Sequence, residues 1–284
     1  MMKQNRSENR NLWLFFLITF AWSWLFWIPK ALVSQDLLSI PPVLGDFLLG
    51  HSNPAAWGPF IAAFLLTYIN EGGRGVKRLL KSGIDYRFEK IWLIPIFLLF
   101  PAIVGGALLL SMLTGGITPN LSVLSNPFTI PIAFVYIFFL GGPLQEEFGW
   151  RGYALDRLQA KWNALISSII LGFFWGAWHL PLFFMSMQAM YYQRPIWGLM
   201  ISTILLSILF TWLYNNTRKS ILAVLIFHTM FNLSHYMFPA LETKLGSLYA
   251  IILPLIVVIV VVTIWGPKRM VREKYVETTS PNSG

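Results

Sequence analysis

Cysteine is absent from the 284 residues, which excludes a disulfide framework, a thiolate nucleophile and a cysteine-held zinc. Charge is scarce: 12% of the residues are Asp, Glu, Lys or Arg, against about 25% in a soluble domain. Acidic residues number 12 against 21 Lys and Arg. Apolar residues fill the space, at 56% of the chain and a mean hydropathy of +0.62. A soluble enzyme and a disordered chain are both excluded. The net charge of +9 could suit nucleic acid, but the cations sit between apolar runs, which points to a bilayer surface and no nucleic acid.

A helix crossing a bilayer needs about 20 apolar residues. Charge-free stretches predict eight such spans, at about 11–33, 54–70, 91–113, 127–145, 162–187, 196–214, 220–238 and 247–265. The stretch 91–145 is too long for one helix and is split at the turn cluster from Thr114 to Pro127. The 54–70 segment, broken by Pro54, Gly58 and Pro59, could be a tilted helix or a re-entrant piece. The first span follows Lys3, Arg6 and Arg10 as a signal peptide would. It ends at Ile28-Pro29-Lys30 without a small-residue cleavage site, so a retained helix is expected.

Counted along this alternation, 18 Lys and Arg fall on one side and three (Lys30, Arg194, Lys244) on the other. This is a positive-inside pattern with both termini cytoplasmic. The fold expected is an all-α polytopic transmembrane bundle, one integral membrane domain over 1–284, in the cell membrane. Residues 267–284 read as a basic, then polar, solvated cytoplasmic tail.

Polar residues at membrane depth are costly unless partnered, and three clusters stand out. The first is Glu146-Glu147-Phe148-Gly149-Trp150-Arg151. Glu147 and Arg151 are spaced i,i+4 and can pair on one helix face. Glu146 points about 100° away, free for proton chemistry in an apolar setting. Ordinary interfacial charges are the competing explanation. The second is Trp175-Gly176-Ala177-Trp178-His179-Leu180-Pro181. Pro181 lacks an N–H and loosens the helix near His179, while Gly176 and Ala177 permit close helix approach. A core histidine bonded to a neighbouring helix would look the same. The third is His228-Thr229-Met230-Phe231-Asn232, with His228 and Asn232 on one face, suited to polarising a carbonyl oxygen, binding a metal or gluing helices. His235 is a weaker candidate, and His51 in an outer loop is assigned no role.

In this order the motifs resemble the CPBP family, which holds the type II CAAX prenyl endopeptidases and the bacteriocin-processing and immunity (Abi-like) proteins. Its pattern is Glu-Glu-x-x-x-Arg, then Phe-x-x-x-His, then His-x-x-x-Asn or Asp. Glu146, Glu147 and Arg151 meet the first, His228 and Asn232 the third. In the second, Trp175 stands at the Phe position, another aromatic that preserves packing. The resemblance covers about residues 140–240, with a family-like catalytic core at about 127–240.

The resemblance implies an intramembrane endopeptidase acting on a membrane-associated peptide or protein, including prenylated or otherwise lipidated ones. By it, Glu146 is the general base and His179 its partner on the attacking water. His228 and Asn232 form the oxyanion site, and Glu147 with Arg151 braces it. No metal is required. The alternative is zinc held by Glu146, His179 and His228, against which stands the lack of a His-Glu-x-x-His helix. The same residues would also suit a non-catalytic immunity or scaffold protein, or a small proton-coupled transporter. The sequence names no substrate-binding residue. One tension remains. On straight spans His179 comes late and His228 early, which separates them by about 15 Å in depth. Either the fifth span starts near residue 166 or beyond, or it ends short around Pro181.

Overall fold

The computed structural model describes residues 2–41, 45, 47, 53–116 and 121–271. His51, residues 117–120 of the turn cluster and the tail from 272 lie outside the described residues. Among the described residues all regular structure is helical, as composition required.

The principal helices are α1 (Met2–Ser34), α2 (Gly58–Ser82), α3 (Leu93–Leu113), α4 (Thr129–Leu140) and α5 (Pro143–Gly149). A π-helical turn, Trp150–Leu155, leads into α6 (Asp156–Gln159). Then come α7 (Ala164–Trp178), α8 (Ile196–Asn216), α9 (Ile221–Met237) and α10 (Lys244–Trp265). Local chemistry sets several starts. Asn163, Ser220 and Thr243 cap α7, α9 and α10, each side-chain oxygen accepting from the backbone N–H three residues on, at 2.8, 3.1 and 2.9 Å.

Among the described residues five helices are long and apolar enough to span a bilayer, and α4 with the helical stretch Pro143–Gln159, bent by 40°, makes six if the pair is one span. Of the eight expected segments, 54–70 and 220–238 fall outside this set. The 220–238 segment is the 17-residue α9, apolar but short. The 54–70 segment opens as a 3₁₀ turn, Pro54–Trp57, and runs on through α2 to Ser82, so most of the expected 71–90 loop is helical. Its charges lie on the solvated side, while Gly75 and Leu79 are buried. Gly72, at φ +64°, breaks the helix where apolar sequence turns basic. Arg151, counted among the loop cations, is wholly buried.

Helix α9 is central, packed against α3, α4, α5 and α8. Helices α7 and α8 meet most closely because glycines face the contact: a Cβ on Gly172 would lie 2.6 Å from Ile204 Cα, and one on Gly176 2.6 Å from Thr203 Oγ1.

The start of the expected tail is exposed at Pro267, Lys268 and Arg269, but its backbone is tied to the bundle. Lys268 and Pro267 carbonyls accept from Ala164 N and Leu165 N at 2.8 and 3.1 Å, and Asn215 and Asn216 hold the carbonyls of Arg269 and Met270. The first amides of a helix have no intrahelical acceptor, and this backbone supplies two.

Candidate active site

The span carrying the glutamates is broken at Gly141–Gly142, with Gly142 at φ +115°. Glycine is required here twice over. Side chains rarely adopt this backbone, and a Cβ would lie 2.8 Å from Glu146 Oε1. The break starts α5 with Pro143 at its first position, and Glu146 and Glu147 follow within one turn.

Each glutamate then has its own environment. Glu147 Oε1 and Oε2 accept from Arg151 Nη1 at 2.9 and 3.0 Å. Both residues are 0% exposed, and the guanidinium lies 4.7 Å from the Trp175 ring centroid and 4.4 Å from that of Phe210. Glu146 makes no ion pair among the described residues. Its Oε2 accepts from the indole N–H of Trp175 at 2.6 Å and, more loosely, of Trp150 at 3.3 Å.

The histidines are each oriented through Nδ1. His228 Nδ1 is 2.7 Å from Glu147 Oε1, and His179 Nδ1 is 2.8 Å from the Trp175 carbonyl. Carboxylate and carbonyl oxygens accept, so Nδ1 carries the proton in both rings and Nε2 is left for other partners. Asn232 Nδ2 donates to Gly141 O at 2.9 Å and sits 3.7 Å from where a Gly142 Cβ would be, so Asn232 and Glu146 flank the same glycine.

The six residues singled out from the motifs thus come together in one buried cluster, joined by Gly142 and Trp175. Trp175 is the hub: its ring is 5.5 Å from His228 and 6.3 Å from His179. Sequence reading credited it with packing alone. The depth tension resolves by the second alternative. Helix α7 stops at Trp178, His179 closes it, and Leu180–Phe184 is a 3₁₀ turn. The cluster also divides by access: Glu146, His179 and His228 keep 6%, 7% and 3% exposure, whereas Glu147 and Arg151 have none. His235 lies apart, its ring edge-on to Phe231 and its Nδ1 buried without a partner. Among the described residues no three His, Asp or Glu side chains converge as a metal-holding set.

Two comparisons bear on this cluster. A family model described as type II CAAX prenyl endopeptidase Rce1-like matches residues 128–234, the stretch that holds every motif. The chain is 30% identical over 236 residues to the CAAX prenyl protease 2 of Methanococcus maripaludis, covering 80% of this chain and 85% of that protein.

Proposed function

Because this chain belongs to the type II CAAX prenyl endopeptidase family and is a membrane-embedded protease, we propose that Glu146 and His179 activate a water for attack on the scissile amide, without a metal. Glu146, which makes no ion pair among the described residues, takes the proton as the water oxygen bonds to the carbonyl carbon. His179 Nε2 accepts a hydrogen bond from the water's other O–H, which stays on the oxygen, and so aims an oxygen lone pair at the carbon. The carbonyl oxygen becomes an oxyanion near His228 Nε2 and Asn232 Nδ2, which are preorganised donors. Collapse breaks the C–N bond, and the proton held by Glu146 passes to the leaving amine. Glu147 stabilises the positive charge that the His228 ring carries when both its nitrogens donate.

The observation that carries this proposal is the partition of the two glutamates: Glu147 is sealed against Arg151, while Glu146 accepts from two indole N–H groups, makes no ion pair among the described residues and keeps some exposure. The substrate class we propose is a membrane-borne peptide. A prenylated C-terminal peptide is the form that the relative's name supplies. The location we propose is the cell membrane with both termini cytoplasmic, a reading supported by the charge asymmetry along the sequence. Glu146→Gln, nearly isosteric, tests the assignment. In vesicles it should retain peptide capture and lose hydrolysis by at least about 10³-fold, within the scale of a lost general base and oriented water. Full hydrolysis by this variant would refute Glu146 as base. Loss of capture as well would instead fit a role in binding, as in the scaffold alternative.

A further inference from the structure

The second half of α2 carries a feature that the peptidase site does not use. After the break at Gly72, Arg74, Lys77, Arg78 and Lys81 follow i, i+3, i+4, i+7 and share one helix face. The opposite side is fixed to the protein. Leu79 packs on Gly152, whose Cβ would lie 2.9 Å from Leu79 Cδ1, and Gly83 lies against the Phe148 ring. Arg78 is paired with Glu71 and Arg87 with Asp85, but Arg74, Lys77 and Lys81 have no ion pair among the described residues. Beside the cations, Leu80 and Ile84 are 49% and 71% exposed.

A row of cations bordered by exposed apolar side chains is the pattern of a helix lying in a membrane interface. Continuity selects the occupant. The first half of α2 is apolar and packs into the bundle against α1 and α5, so the second half is held where the bundle meets the headgroups. A soluble polyanion would leave Leu80 and Ile84 uncovered, whereas a lipid surface takes both. We propose that the Arg74–Lys81 face binds anionic phospholipid headgroups while Leu80 and Ile84 enter the acyl boundary. Cations held near such a surface each contribute about a fivefold preference. The site is independent of the peptidase reading, although α2 packs directly on Phe148, next to Glu147.

Amide hydrogen exchange over residues 73–90 reads the site without any turnover. The full-length protein is compared in phosphatidylcholine vesicles and in vesicles containing phosphatidylglycerol. Protection should rise at least about tenfold with the anionic lipid and fall back in high salt. The triple variant Arg74→Gln, Lys77→Gln, Lys81→Gln should lose the rise. The charge-preserving variant Arg74→Lys, Lys77→Arg, Lys81→Arg should keep it, which separates charge from folding. Equal protection in both vesicle types would overturn the proposal. So would a rise reproduced by inorganic phosphate in neutral vesicles, which would assign the face to a soluble anion.

Discussion

His228 Nδ1 lies 2.7 Å from Glu147 Oε1, the same oxygen that accepts from Arg151 Nη1 at 2.9 Å. One carboxylate thus neutralises a buried cation and orients an imidazole 81 residues further along the chain. The Glu-x-x-x-Arg and His-x-x-x-Asn motifs are a single unit in space, so predictions about one involve the other.

Glu147→Gln should fail in two separable ways. It leaves Arg151 buried and uncompensated, which costs about 3–5 kcal/mol, and it replaces the carboxylate that faces His228 with a neutral amide, whose one oxygen must serve both donors and offers no charge to an imidazolium. Adding Arg151→Met should recover the thermal midpoint in detergent but not turnover. A double variant that regains activity along with stability would show that Glu147 does no more than neutralise Arg151.

Trp175→Phe keeps a ring between the histidines and removes the N–H that bonds Glu146. A hydrogen bond to a charged group contributes about 1.5–3 kcal/mol, so kcat should fall about 10- to 100-fold at nearly unchanged KM. An unchanged kcat would return Trp175 to packing alone.

Gly142→Ala and Gly115→Ala form a matched pair. Both glycines have positive φ, +115° and +93°. Only at Gly142 would the new methyl approach Glu146, since nothing lies within 4 Å of a Cβ on Gly115. Both variants should lose about 1–2 kcal/mol of stability to backbone strain, but only Gly142→Ala should abolish cleavage. Comparable cleavage by the two would mean that the position of Glu146 beside the break is not critical.

Metal dependence is measurable directly. Prolonged treatment with a strong chelator should leave turnover unchanged, and elemental analysis should find less than about 0.1 zinc per chain, since a bound catalytic ion would approach one. Activity lost to the chelator and restored by zinc would require Glu146, His179 and His228 to reorganise around an ion.

Much was readable along the chain because its physical cause is local. An apolar run declares a helix. An i,i+4 spacing declares a shared face, which is why Glu147–Arg151 was anticipated and is found at 2.9 Å. Charges misled where they lie on a helix. Residues 71–82 looked like loop because Arg74, Lys77, Arg78 and Lys81 are polar, yet Gly75 and Leu79 bury the other side. Arg151 was counted with the loop cations as well as paired with Glu147, and nothing nearby in sequence announces Phe210, whose ring closes over it.

By itself the sequence determined that this chain is a helical membrane protein and which polar side chains needed an explanation, since burying them in hydrocarbon is costly wherever they occur. Tertiary structure decided the partners that lie far off in the sequence. That Trp175 donates to Glu146 and that His228 turns Nδ1 to Glu147 depend on directional contacts between residues 29 and 81 positions apart. Such contacts exist only once the helices have packed.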